Sequence, residues 1–525
     1  MLKYIILISY LRMNCARSAS RAEGCDAVKK PIRSAAGRAL ALLLAALICA
    51  AALAPSVFAD DAAPEEAKRL RLTVSGAYSA AQSRFLAEGA DPLTDGTFRT
   101  EARVFGALEL SAPAKIGGLY IVFADTPTEL TISADRQRIR FIPEYLEVWI
   151  DVSALGSGTL SLAFTGQVNV CDVYAFTEGE PPAWVQRWSP PCEKADLLLV
   201  SAHADDEQLY FAGVLPYYAG ELGYAVQVAY FTDHLAEPHR RHELLKGLWA
   251  VGVRNYPVIG AVPDAYSESE ADALKKLAAS GMTRDDAVLQ QLRLLRRFKP
   301  QVVVTHDLDG EYGHGQHRLC ASTMLEAAAL AADPESDPSG ASLYGAWDVP
   351  KLYLHLYAEN PITLNWDFPL DAFGGKTAFQ VSQQGFLCHA SQTNSRFDDW
   401  IFGEKRDITK ASEIAEYSPC LYGLVRSTVG ADVNKNDFFE NITTYAEQER
   451  LAAEAEAKRA EEERAAAERA EADKKAAETE AADAAANEAS RLRGLHALAV
   501  AAACLLALSV AAYFARRAVD RKRGK

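Results

Sequence analysis

The chain is poor in paired cysteine motifs, in positive charge and, over long stretches, in helix-breaking or large apolar residues. Its nine cysteines show no zinc-knuckle spacing, which excludes a cysteine-built metal module. Cys15, Cys25 and Cys49 fall in the first 59 residues and Cys504 in an apolar run near the end. The other five (Cys171, Cys192, Cys320, Cys388 and Cys420) leave at least one thiol unpaired and read as small buried hydrophobes. Lysine and arginine number 55 against 70 aspartates and glutamates, a net charge of -15. That balance argues against nucleic-acid binding, whose footprint is basic. Tyr445 to Arg493 has neither proline nor glycine, and little that is large and apolar between Leu451 and Leu492. Such a segment is helical by propensity and laced with i,i+4 charge pairs, but it cannot supply a coiled-coil seam. A single solvated stalk over 445–493 is expected, roughly 70 Å long at 1.5 Å per residue.

What is present organises the rest. Lys29, Lys30, Arg33 and Arg38 precede an apolar run from Ala39 to Ala54, and Val57-Phe58-Ala59 offers small residues to a signal peptidase; residues 1–59 read as a signal peptide. Leu495 to Phe514 is long and apolar enough to cross a bilayer. Arg516, Arg517, Arg521, Lys522, Arg523 and Lys525 follow it, which by the positive-inside rule puts tail 515–525 in the cytoplasm. The expectation is a single-pass cell-membrane protein with an extracellular ectodomain. Within it, residues 66–185 carry short alternating runs such as Leu119–Phe123, Leu146–Ile150 and Thr159–Phe164 between turn clusters, a pattern expected of a β-sandwich.

Pro181-Pro182 and Pro190-Pro191 mark a linker, after which the pattern becomes strand, helix, strand. Helices are expected over 208–223, 240–251 and 287–298, with strands over 196–200, 225–232, 301–305 and 352–357. For 193–443 this predicts an α/β fold, a Rossmann-like three-layer core with a mostly parallel sheet.

Chemistry concentrates at two strand ends. Leu197-Leu198-Leu199-Val200 runs into His203-Ala204-Asp205-Asp206-Glu207, and Val302-Val303-Val304-Thr305 into His306-Asp307 and Tyr312-Gly313-His314-Gly315-Gln316-His317. The carboxyl lip of an open α/β sheet is where ligands bind. His203, Asp206 and His317 make a three-ligand zinc set with one position open. Asp205 is placed to take a proton from water. His314, three residues before His317, could be charged and polarise a carbonyl oxygen or protonate a leaving amine. These parts suit amide hydrolysis.

His203-Ala204-Asp205-Asp206-Glu207 also resembles the His-Pro-Asp-Asp-Glu motif of the PIG-L/LmbE-like deacetylases, and Tyr312 to His317 resembles that family's second signature. Arg240-x-x-Glu243 ahead of Gly252-Val253, and Asp264 after Pro263, match its intervening helix and loop. The resemblance spans roughly 193–440. It implies zinc-dependent N-deacetylation of N-acetylglucosamine-bearing molecules, with metal at His203, Asp206 and His317 and the base at Asp205. Ala204 stands where the motif has proline and Gly315-Gln316 where it commonly has Pro-Asp, and loss of proline is expected to loosen the turn. Arg240 and Glu243 either pair on a helix face or contact substrate; His389 is either a pocket residue or an ordinary loop histidine. Leu93-Thr94-Asp95-Gly96-Thr97, followed by β-runs, resembles the start of discoidin-like carbohydrate-binding domains.

The function expected is therefore a membrane-anchored zinc N-deacetylase acting on amino sugars or glycans, with no nucleic-acid partner and no specific protein partner implied. Two rivals are a zinc amidase for another N-acyl compound and a surface glycan-binding protein with a vestigial core.

Overall fold

The computed structural model describes residues 65–81, 91–393 and 396–524; the expected signal peptide lies outside them. Contacts divide the chain at residue 65, and everything below concerns the unit Glu66–Lys525. It is a mixed α and β fold with two sheets and a long carboxy-terminal helix.

The first sheet has nine strands: β1 (Arg69–Leu70), β2 (Thr73–Ala80), β3 (Ala102–Ser111), β4 (Gly118–Phe123), β5 (Leu130–Ala134), β6 (Gln137–Phe141), β7 (Glu147–Asp151), β8 (Thr159–Phe164) and β9 (Val168–Phe176). All pairings are antiparallel. Strand β3 changes partner along its length: Ala102 to Val104 pair with β9, Ala107 to Ser111 with β8. The nine strands are thus one hydrogen-bonded network, with an apolar cluster that includes Leu108, Ile121, Ile132, Leu162 and Val170. Every residue of β4 is buried. Leu119, Ile121 and Phe123 enter that cluster, while Tyr120 and Val122 join a second one on the opposite face.

The second sheet has seven strands: β10 (Leu197–Ser201), β11 (Val226–Thr232), β12 (Val258–Val262), β13 (Val302–Thr305), β14 (Lys351–His355), β15 (Pro361–Thr363) and β16 (Leu421–Ser427), in the order β12-β11-β10-β13-β14-β16-β15. The first five are parallel and the last two pair antiparallel. Alternate residues of β10 feed two apolar clusters, Leu197 and Leu199 one and Leu198 and Val200 the other, as a strand covered on both faces must. The chain leaves β10 towards β12 and returns to β13 on β10's other side, so the order reverses between β10 and β13. Such a switch point opens a crevice at the carboxyl ends of the strands.

The helices are α1 (Asp206–Leu209), α2 (His239–Ala250), α3 (Glu270–Ala279), α4 (Arg284–Phe298), α5 (Gly315–Leu330), α6 (Pro338–Tyr344), α7 (Ala378–Phe386), α8 (Arg396–Phe402) and α9 (Tyr445–Arg523). A capping box of Thr283 and Asp286 starts α4. The helix expected over 208–223 is instead broken into α1, turns and a π-helical stretch at Pro216–Glu221. Gly213 explains the break: its φ is +94°, and a Cβ there would collide with the indole of Trp366. Residues 445–493 and the apolar run form one uninterrupted helix, α9, in which no described side chain is buried. Its first residue is tied down, Tyr445 N–H donating to Asp196 (2.7 Å) and the Tyr445 hydroxyl to the Lys299 carbonyl (2.6 Å). Among the described residues all six cysteines are free, and Cys171, Cys192, Cys320 and Cys420 are buried.

Candidate metal centre and active site

Because β10 and β13 are parallel neighbours with Leu199 opposite Val304, the segments that follow them leave the sheet at the same edge. There His203 Nδ1 lies 3.2 Å from Asp206 Oδ2 and 3.2 Å from His317 Nε2, and the last two atoms are 3.3 Å apart. Tetrahedral ligands about 2.0–2.1 Å from one ion stand roughly 3.3–3.4 Å apart. The donor set therefore fits a divalent metal on spacing alone. Charge agrees. Although burial opposes it, His317 and His203 hold Asp206 well below the usual carboxylate range. Although burial opposes it, Asp206 and Glu311 push the His317 imidazole up to about 10. A centre that binds a proton so firmly is one that favours a cation.

Two further histidines stand near enough to be ligands, His306 and His314. Both nitrogens of His306 are engaged, Nε2 accepting from Ala202 N–H (2.8 Å) and Nδ1 facing Glu311 (2.8 Å). His314 Nδ1 accepts from Gln316 N–H (3.1 Å), so this side chain caps the start of α5. An accepting Nδ1 places the proton of a neutral ring on Nε2. Burial, helped by His203 and His317, lowers the His314 pKa to about 2. His314 is thus a neutral hydrogen-bond donor, where the motif alone suggested a charged one.

The first motif is held by its own backbone. His203 N–H donates to Asp206 Oδ2 and Asp205 N–H to Glu207 Oε2, at 2.8 and 2.9 Å. Ala204 N–H donates to His234 Nε2 at 2.8 Å. Proline at 204 has no such donor, so the turn is secured differently rather than loosened. Asp205 sits at φ +109°, a conformation that non-glycine residues hold only under surrounding constraint. Burial pushes its carboxyl up to about 7 against the pull of Arg240. Arg240, at the start of α2, reaches Asp205 Oδ1 (3.3 Å), Asp264 Oδ2 (3.2 Å) and the Ala204 carbonyl.

A polar cavity of about 170 Å³ collects these groups: His203, Asp205, Asp206, Arg240, Asp264 and His314 line it, with Tyr266 and Tyr312 beside them. Glu243 and His389 do not line it. Nor does Glu243 pair with Arg240; fully buried, it accepts from Arg99 of the β-rich region (2.8 Å) and from Ser391. His389 lies beneath the motif, 3.0 Å from Glu207 Oε1.

Two residues that the motifs did not single out as functional hold the ligands in place. Glu311 is fully buried and receives three imidazoles, His317 (2.7 Å), His306 (2.8 Å) and His355 (2.7 Å). Gln316 Oε1 lies 2.9 Å from His203 Nε2, and its amide nitrogen donates to the Pro263 carbonyl (2.7 Å). Partners of this kind fix ring orientation and tautomer. An acid between His306 and His317 in one loop was the only available sign of Glu311.

Comparison with known proteins adds the following. Residues 198–328 match the family model described as PIG-L: GlcNAc-PI de-N-acetylase. A 1D-myo-inositol 2-acetamido-2-deoxy-alpha-D-glucopyranoside deacetylase of Streptomyces scabiei is 31% identical over 179 residues, 30% of this chain and 54% of the relative. One of Catenulispora acidiphila is 31% identical over 202 residues, 34% and 61% of the two chains. The chain thus spans a little over half the length of these curated relatives. Among solved structures, N,N'-diacetylchitobiose deacetylase from Pyrococcus horikoshii overlaps 45% of this chain and 84% of its own at 17% identity and a TM-score of 0.31, too loosely to refine the fold.

Proposed function

With a PIG-L domain at residues 198–328 as the premise, we propose that the protein is a zinc-dependent hydrolase that removes N-acetyl groups from N-acetylglucosamine-type sugars or glycans. The observation that carries this reading is the triangle of His203 Nδ1, Asp206 Oδ2 and His317 Nε2, 3.2–3.3 Å on each side, opening on a cavity that also holds Asp205 and His314. Deacetylase names on the curated relatives support the choice of bond. His203, Asp206 and His317 would hold the metal, which when bound supplies Lewis acidity to a carbonyl oxygen and to water.

The chain's own residues do the rest. Asp205 takes the proton of a water whose oxygen bonds to the acyl carbon; its carboxyl near neutrality suits a general base. His314 donates from Nε2 to the carbonyl oxygen as charge develops there. The C–N bond then breaks as the proton passes from Asp205 to the amine nitrogen; the free amine and acetic acid leave, and the acid gives up its proton to solvent as acetate. Arg240 orients Asp205, and Asp264 stands ready to accept a sugar hydroxyl. A cavity this small admits an acetamido group and the edge of one ring, not a whole glycan. Helix residues 495–514 would anchor the chain, 445–493 would be the stalk and the catalytic region would face outward.

The test is metal content and acetate release from N-acetylglucosamine derivatives, with and without chelator. Asp205→Asn should keep the metal and lose about 100- to 10,000-fold in rate. Metal without acetate release from any amino sugar would leave an amidase for another N-acyl substrate, and no bound metal would sink the hydrolase reading.

A further inference from the structure

A second cavity shares no lining residue with the polar one. A space of about 650 Å³ lies between the β-rich sheet and α2, within the size range of small-molecule sites. On one side the rings of Tyr120, Tyr174 and Trp184 meet edge-on or tilted, with centroids 5.3–5.8 Å apart. Trp184 is 47% exposed, so its ring is available from solvent. On the other side stand Lys246 and Trp249 of α2, with the Arg254 guanidinium 3.9 Å over the Trp249 ring.

Two carboxylates line the cavity, and their states differ. Glu147 is engaged on both oxygens, by the Tyr120 hydroxyl and by His242. Asp172 is 1% exposed. Its Oδ1 accepts from Val173 N–H (2.9 Å), while Oδ2 is buried and has no well-aligned donor, the Tyr174 hydroxyl being the polar group beside the carboxyl. A buried acceptor left open in a cavity is a group kept for a donor that arrives with a ligand.

The chemistry narrows the ligand. An anion would meet Asp172 and Glu147, and a cation would meet Lys246 and Arg254. A wholly apolar molecule would leave Asp172 Oδ2 without a partner. A neutral ring with an apolar face and hydroxyl donors on its edge satisfies both the aromatic wall and the open acceptor. We propose that this cleft is an accessory saccharide-binding site, taking a neutral pyranose unit stacked on Trp184 with a hydroxyl hydrogen-bonded to Asp172. The segment after α7 borders both spaces, Leu387, Cys388 and Ala390 the large one and Gln392 the small one. The pyranose is either a distal unit of the substrate or part of a separate glycan.

The site stands apart from the metal chemistry; only the choice of N-acetylated probe rests on the deacetylase reading. Full-length protein in a detergent without sugar headgroups would be titrated with N-acetylglucosamine tetramer and with a β-glucan tetramer. Binding is measured by calorimetry in the non-hydrolysing Asp205→Asn background, and rates with Asp205 intact. Trp184→Ala should weaken saccharide binding about tenfold, and Asp172→Asn, which keeps the shape, should weaken it severalfold. Release of acetate from monomeric N-acetylglucosamine should be unchanged in both. A KM raised for the tetramer but not the monomer marks a distal substrate unit; weaker binding with KM unchanged marks a separate glycan. Equal affinity in wild type and both variants, no saccharide bound by the wild type, or tetramethylammonium bound more tightly than either sugar would overturn the proposal. If no substrate releases acetate but Trp184-dependent binding persists, the deacetylase reading falls and the cleft stands.

Discussion

In the proposed metal centre, Glu311 is the residue that braces the candidate ligand His317. Its carboxylate stays ionised because, although burial opposes it, His306, His317 and His355 hold it well below the usual range. Glu311→Gln keeps the shape but sets an amide against an imidazole that needs an acceptor. Metal affinity should fall about 10- to 100-fold by chelator competition, with the circular dichroism of the fold unchanged. Unaltered affinity would mean that the triangle of ligands is self-supporting. Asp172 gives a second residue-scale prediction. Burial raises its carboxyl to about 7, so the folded state holds a proton that the unfolded chain releases near 4. Its contribution is most favourable below pH 4 and is lost as pH rises towards 7, because the unfolded state binds fewer protons across that window. Asp172→Asn should therefore stabilise the protein more at pH 7.5 than at pH 4.5, by on the order of 1–4 kcal/mol. Denaturant midpoints for both proteins at the two values provide the check, and an equal shift at both would refute the titration.

At the scale of elements, strand ends and turns set the site. The motif turn is fastened by three main-chain donors, and the Ala204 N–H to His234 bond is the one a proline cannot make. Ala204→Pro would leave His234 Nε2 unpaired in a ring whose Nδ1 already lacks a partner. It should destabilise by about 1–3 kcal/mol in chemical denaturation; a stabilised variant would show that rigidity at 204 matters more than the bond. Helix α2 links two regions. Its Arg240 enters the polar cavity, while Arg241, His242 and Glu243 bind Asp125, Glu147 and Arg99 of the β-rich region. The Arg-x-x-Glu spacing was visible in the chain, but the division of labour was not. Arg240 and Glu243 lie nearly one turn apart and still meet different partners, Arg240 reaching Asp205 and Asp264 while Glu243 accepts from Arg99 and Ser391.

At the scale of the whole molecule, α9 begins on the α/β region and carries an apolar stretch of membrane-spanning length. A chain ended after Arg493 should stay in the soluble fraction after cell lysis and keep its specific acetate release, whereas the full chain should sediment with membranes and resist carbonate extraction. Sedimentation of both would place the attachment elsewhere.

Pattern alone marked most of the strands, the long helix and the residues of the candidate site. Apolar runs marked the strands, two clusters of protonatable residues at strand ends marked the site, and an Ala/Glu/Lys/Arg tract marked the long helix, because each is a local property of consecutive residues. Tertiary structure alone decided the rest. It put Glu311 behind three histidines, made His314 a neutral helix cap, turned Glu243 away from the cavity and left Asp172 with an open oxygen beside Trp184. Each outcome depends on which distant groups share a buried space, and burial sets both protonation and the need for a partner. No window along the chain contains that information.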